Sequence, residues 1–179
     1  MSRVFLTGFM GCGKSVTGAL LAARLSVDFI DLDDRIAETA GCSVEEIFSE
    51  RGEKTFRRLE STALQSLPNG IVCALGGGTL MDPENLAWSL KKAEVFYLRA
   101  GVPELVRRLR ADKTARPLLQ DQEGRPLGVA RMENRIRCML EEREPIYRQA
   151  HQTINVDRVP PEVAADKCLE AYRSRNVRR

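Results

Sequence analysis

The chain has 179 residues, enough for one compact domain with its own core and short for two. Apolar residues make up 43% and charged residues 30%, which excludes a disordered chain, and the net charge of +3 resides in four C-terminal arginines (Arg173, Arg175, Arg178, Arg179), so the body lacks the broad basic face of a nucleic-acid binder. No apolar run reaches the roughly 18 residues of a membrane span, no secretion signal opens the chain, and five scattered cysteines without a CxxC pair fit reduced thiols, so the expectation is a cytoplasmic monomer with no nucleic-acid or membrane partner and a solvated basic tail.

In chain order, Val4-Phe5-Leu6 reads as a short buried strand, Gly8 to Ser15 as a glycine-rich turn, and Lys14 to Leu25 as a helix with apolar residues at Val16, Leu20 and Ala23. Phe29-Ile30 is a second strand running into acidic residues, with Asp34 as the expected cap of the next helix. Ser43 to Glu46 is a capping box, and a longer helix covers about Glu53 to Leu67. Ile71 to Leu75 is a central strand followed by Gly76-Gly77-Gly78, and Asp82-Pro83 opens a helix toward Lys91. Val95 to Leu98 is a strand, and Pro103 opens a helix ending near Arg110. Residues 112–128 carry charge, glycine and proline without apolar periodicity, the composition of a lid. Arg131 to Arg143 is helical with an apolar face of Met132, Ile136, Met139 and Leu140. The lone histidine, His151, reads as a surface or loop residue. Thr153 to Val156 is a last strand and Glu162 to Tyr172 a last helix. Alternating strands and helices predict one α/β domain, residues 1–179, with a parallel sheet covered on both faces.

Gly8-Phe9-Met10-Gly11-Cys12-Gly13-Lys14-Ser15 matches G-x-x-x-x-G-K-[ST] at every required position, with a strand before it and a helix after it. Glycines let backbone N–H groups turn inward around phosphate oxygens, and the helix aims its positive end at the same anion. Lys14 would reach the β- and γ-phosphates of a nucleotide such as ATP, and the Ser15 hydroxyl is a ligand for Mg²⁺. Gly11, Cys12, Gly13, Lys14, Ser15 and Val16 form the nucleotide side, although Cys12 has no obligatory part in this chemistry.

Five further segments accompany GFMGCGKS: Asp31-Leu32-Asp33; Ile47-Phe48 with Gly52-Glu53 and Phe56-Arg57-Arg58-Leu59-Glu60; Gly76-Gly77-Gly78; Arg116-Pro117-Leu118-Leu119; and Arg143-Glu144-Pro145-Ile146-Tyr147. In this order, across roughly residues 3–157, the set resembles the shikimate kinase family. The resemblance implies a three-layer P-loop kinase fold with a five-stranded parallel sheet in the order 2-3-1-4-5. It also implies transfer of the γ-phosphoryl of ATP to the 3-hydroxyl of shikimate, within aromatic amino-acid biosynthesis. It further implies a mobile lid at about 112–128 and a substrate-binding helical region at about 33–62. The stretch from Gln120 to Gly128 looks longer than the family's minimal lid.

By resemblance Asp31 helps hold Mg²⁺ and Asp33 hydrogen-bonds the acceptor hydroxyl as candidate base. The plainer alternative for Asp33 is a helix cap. Arg57 and Glu60, at i and i+3, meet on one helix face. They read either as a surface ion pair or, with the family pattern, as a guanidinium held for a carboxylate. Arg143 continues the apolar face from Met139, and either meets the substrate carboxylate or lies past the helix end and snorkels. Arg58, Arg135 and Arg137 read as solvated. By resemblance Gly77 and Gly78 offer backbone to shikimate and the γ-phosphate, the alternative being a plain turn. Arg116 resembles an arginine that closes on the transferring phosphoryl, the alternative being a solvated loop charge, and Arg110 resembles an adenine-stacking arginine. The rivals are a gluconate or nucleoside monophosphate kinase, and a P-loop module that binds nucleotide without catalysis.

Overall fold

The computed structural model describes residues 3–112, 117–121 and 123–176. Five strands form one parallel sheet in the order β2-β3-β1-β4-β5, with β1 at Arg3–Thr7, β2 at Asp28–Asp31, β3 at Ile71–Ala74, β4 at Ala93–Arg99 and β5 at Gln152–Asn155. Val4, Phe5 and Leu6 of β1 are fully buried, as a central strand covered on both faces requires.

The helices are α1 (Lys14–Leu25), α2 (Leu32–Ala40), α3 (Val44–Glu46), α4 (Gly52–Gln65), α5 (Pro83–Lys92), α6 (Val102–Ala111), α7 (Val129–Tyr147) and α8 (Pro161–Asn176). Two clusters divide the core. Leu21 of α1, Leu105 of α6, Ile136 of α7 and Cys168 of α8 pack with Val4 and Leu6. Ile36 of α2, Leu64 of α4 and the partly buried Trp88 of α5 pack with Phe5 and Val95. Because β1 lies between β3 and β4, the segments after β1, β2 and β3 leave the sheet at one end, where open α/β folds place their ligands.

The boundaries follow local chemistry. The Ser43–Glu46 capping box is present with both reciprocal bonds, and Asp82 caps α5 with Pro83 in its first turn, as expected. The cap of α2 is Asp31, whose carboxylate accepts from Asp33 N–H, and not Asp34, because the helix begins directly at Leu32. Helix α7 runs on past Arg143 through Pro145 to the buried Tyr147, four residues beyond its expected end. His151 is half-buried, and its Nδ1 accepts from Val95 N–H at 3.0 Å. The basic tail is not simply solvated: Arg175 pairs with the buried carboxylate of Glu94, while Arg178 and Arg179 lie outside the described residues.

The stretch after Leu119 is a closed turn. Asp121 Oδ1 accepts from the N–H groups of Glu123 and Arg125, Asp121 N–H donates to Arg125 O, and Leu127 N–H donates to Leu119 O at 2.9 Å. Leu119 itself is buried against the first cluster.

Gly18, mid-way along α1, sets the distance between that helix and the sheet. An added Cβ would stand 2.5 Å from Phe29 Cε2 and 3.3 Å from Leu6 Cδ1. Alanine gains about 1 kcal/mol in helix propensity, but overpacking costs about 1–3 kcal/mol. Gly18→Ala should therefore be less stable in urea unfolding, and a more stable variant would mean that α1 has room to retreat from β2.

Candidate active site

The loop between β1 and α1 wraps the phosphate position because its glycines take conformations closed to other residues. Gly13 caps α1 with φ 98°, and Gly8 has φ 142° with no room for a Cβ, which would sit 2.6 Å from Leu98 O. Lys14 Nζ donates to Gly8 O at 2.9 Å and Phe9 O at 3.1 Å, so its ammonium curls over the loop. A phosphate would exchange these neutral acceptors for charged ones. Ser15 Oγ donates to Asp31 Oδ2 at 2.6 Å, bringing a hydroxyl and a carboxylate together at the first turn of α1.

A cleft of about 400 Å³ opens at this end of the sheet. Gly11, Gly13, Lys14, Ser15 and Val16 line one wall, and Asp31, Asp33, Gly76 and Gly77 line another. Asp31 ends a strand and Asp33 sits in the first turn of α2, so the two do not follow an extended period. The Asp31 cap turns the chain so that both still face the cleft. Cys12 is buried and outside the lining, consistent with a packing part only.

The electrostatics of Asp33 are unusual for a carboxylate. Burial is the main cause of its pKa rising to about 6, with Asp31 and Glu60 adding repulsion and Lys14 pulling the other way.

The three glycines after β3 lie against different functional side chains. An added Cβ at Gly76 would lie 3.0 Å from Asp33 Oδ1 and 3.1 Å from Glu60 Oε1, and at Gly78 2.9 Å from both terminal nitrogens of Arg57. At Gly77 it would lie 3.6 Å from an Arg143 nitrogen and from Gly8 O of the phosphate loop, an ordinary contact distance. Side chains at Gly76 and Gly78 would thus push on Asp33 and Arg57, whereas Gly77 has room for a Cβ.

Arg57 is half-buried on α4 and donates to Glu60 Oε2 at 2.8 Å and, more loosely, to the exposed Glu53. Glu60 is 1% exposed, and its other oxygen accepts from Thr79 Oγ1 at 2.6 Å. The pair is therefore not an ordinary surface contact. Phe48 and Phe56 pack beside it with ring centres 4.5 Å apart and planes tilted by 32°, and the Arg57 guanidinium carbon lies 5.3 Å from the Phe56 ring centre. Arg143 lies within α7, not past its end, with its guanidinium carbon 6.0 Å from the Phe9 ring centre. Arg58, Arg135 and Arg137 are exposed, as expected.

The arginine that reaches the phosphate loop from α6 is Arg108. It donates to Cys12 O at 2.8 Å, to Val156 O at 2.6 Å and to Glu104 at 2.6 Å, and it lines the cleft. Glu104 is held down to about 2 by its hydrogen bond from Arg107 and by Arg108. Arg110, the expected adenine contact, is exposed on α6 and does not line the cleft. Arg116 lies outside the described residues. Sequence reasoning passed over Arg108 and Thr79. The i,i+4 spacing of Glu104 and Arg108 was a usable signal, whereas nothing local marks Thr79.

Comparison with known proteins decides the family. The shikimate kinase family model matches residues 10–173. This chain belongs to the shikimate kinase family. The shikimate kinase of Salinibacter ruber is 45% identical over 163 residues, covering 90% of this chain and 80% of the relative. That of Caldanaerobacter subterraneus is 40% identical over 175 residues, covering 96% of both. Among solved structures, shikimate kinase from Bacteroides thetaiotaomicron superposes with a TM-score of 0.87 at 34% identity, covering 96% of this chain and 98% of the other. Shikimate kinase from Acinetobacter baumannii in complex with shikimate gives 0.86 at 32%, covering 98% and 94%. As a shikimate kinase family member the chain is an ATP-dependent kinase with an alcohol acceptor, and its sheet order is the family order that the motifs implied. No helix among the described residues is long and apolar enough to cross a membrane.

The raised Asp33 pKa has a consequence for stability. The folded state binds this proton more tightly than the unfolded state, so the group supports folding below about pH 4 and that support is lost as pH rises through about 6. In EDTA at pH 7.5, Asp33→Asn should therefore be more stable than wild type by about 1–3 kcal/mol, an advantage that shrinks toward pH 4. A difference independent of pH would show that the carboxylate is not the source.

Proposed function

We propose that this chain transfers the γ-phosphoryl of ATP in line to the 3-hydroxyl of shikimate, in the shikimate pathway, with the residue roles that follow. The observation that carries the reading is the convergence of Arg57 from α4 and Arg143 from α7 on one glycine turn that also touches the phosphate loop at Gly8. Two guanidinium groups from separate helices, one held by a buried carboxylate, suit a single small carboxylate on the acceptor.

On the nucleotide side Gly11, Gly13 and the first turn of α1 cradle the phosphates, and Lys14 meets the β,γ oxygens. Val16 flanks them at the cleft mouth. Arg108 of α6 steadies the phosphate loop through the Cys12 carbonyl, and Arg110, exposed on the same helix, stacks on the adenine. Ser15 Oγ and Asp31 Oδ2 are hard oxygens on the cleft wall, a donor set that fits Mg²⁺ with the remaining positions left to water and phosphate. When bound, the ion supplies neutralising charge to the phosphates. Asp33 orients the acceptor hydroxyl and takes its proton late, because a loose transition state asks little of a base. Gly77 and Gly78 present backbone close to acceptor and phosphoryl. Arg116, carried by the lid at 112–128, adds charge to the transferring group, and residues 33–62 form the acceptor region.

A coupled ADP-release assay with shikimate, gluconate and nucleoside monophosphates in parallel tests the substrate. Arg57→Lys keeps the charge and loses the fork, and should lower kcat/KM for shikimate by about 1.5–3 kcal/mol while nucleotide affinity without shikimate is unchanged. Wild type should reject a shikimate amide strongly, and the Arg57, Arg143 double variant far less. Equal acid-to-amide preference in the two would remove the carboxylate from the recognition scheme.

Arg116→Ala should reduce kcat by about 10²-fold or more with a smaller effect on shikimate affinity. A change confined to the KM for ATP would make Arg116 a binding residue.

A further inference from the structure

Tyr147 is fully buried near the end of α7, and its hydroxyl donates to the carbonyl oxygen of Gly77, seventy positions earlier in the chain. Arg143 stands one helical turn before it on α7, and its charge partly offsets the upward push of burial on the Tyr147 phenol. Arg143 is also close to the anchored peptide: a Cβ on Gly77 would be 3.6 Å from an Arg143 nitrogen.

Its ring lies 5.2 Å from that of Tyr97 on β4, tilted by 34°, so neighbours fix its position. The hydroxyl of Tyr97 is equally enclosed yet finds no partner among the described residues. Two buried tyrosines in contact thus differ in what their oxygens hold.

We infer that Tyr147 is a positioning residue for the acceptor. Its hydroxyl sets the orientation of the Gly77–Gly78 peptide, beside which the Arg143 guanidinium stands. A trans peptide points its C=O and N–H in opposite directions. Anchoring Gly77 O on α7 therefore turns Gly78 N–H to the side away from Tyr147. Pro145, between Arg143 and Tyr147, has no N–H to give to the helix, and α7 nonetheless continues to bring Tyr147 beneath the glycine turn.

This inference rests on the reading of Arg143 as a carboxylate contact, and the test separates the two. Tyr147→Phe keeps the ring and removes only the hydroxyl. Steady-state kinetics should show the KM for shikimate raised roughly 5- to 30-fold, with the KM for ATP within about twofold of wild type. Tyr97→Phe, the matched control, should leave both unchanged. A merely structural role would lower the active fraction, and so kcat, with the shikimate KM intact. That outcome overturns the inference.

Arg143→Lys gives the third arm. If it weakens shikimate use and Tyr147→Phe does not, the positioning role fails while the carboxylate reading stands. If neither variant alters shikimate parameters, both fail. Should Tyr147→Phe not fold, wild type carrying 3-fluorotyrosine at its three tyrosines serves instead. Shikimate without nucleotide should then move the ¹⁹F resonance of Tyr147 and not that of Tyr172. An unmoved Tyr147 signal at saturating shikimate counts against the proposal.

Discussion

A carboxylate with almost no access to water must be paired, and much of the acceptor half of this site is arranged around that necessity at Glu60. Its two oxygens take one hydrogen bond each from Arg57 and Thr79, from the same helix and from the turn after β3. Removing Arg57 would strand a buried charge at a cost of several kcal/mol, and removing the Thr79 hydroxyl would leave one oxygen unsatisfied at about 1–3 kcal/mol. The pairing therefore fixes Arg57 against Gly78 and ties α4 to the end of the central sheet. Thr79 is itself held, since its carbonyl accepts from Asn85 of α5. Helix α4, the turn after β3 and the start of α5 are thus locked around one buried charge, and the guanidinium emerges pre-aimed.

The nucleotide half works differently. There the backbone does most of the work, through left-handed glycines, the exposed start of α1 and an ammonium resting on loop carbonyls. Side chains fasten this loop from behind. Arg108 reaches across from α6 to the Cys12 carbonyl, and its own charge is met by the strongly acidic Glu104. Between the halves lies Asp33, whose burial disfavours its charged form. The fold thus gives up some stability where the chemistry takes place.

Most of the architecture was legible from local signals. The phosphate loop, the capping box at Ser43, the Asp82-Pro83 start and the sheet order all lie where motif and resemblance put them. What escaped was decided by packing. Helix α7 passes through Pro145, where a stop is the usual outcome, because Tyr147 beyond it is buried. Apolar spacing places Leu105 and Leu109 of α6 inward without saying which neighbouring arginine grips the loop, and the phase of the helix gives that contact to Arg108. Asp31 outcompetes Asp34 as cap because β2 turns into α2 with no intervening loop. Thr79 could be found only by knowing that Glu60 is buried.

The turn beyond Leu119 bears on how this chain tolerates change in length. Leu119 is seated in the core and bonded through its carbonyl to Leu127, and α6 ends at Ala111. Ala111 and Leu119 are therefore two fixed posts in the chain. The clasp between Asp121 and Arg125 lies outside them. Residues added there lengthen the protein without lengthening the chain between the posts, so that turn can absorb insertions or accept a reporter group.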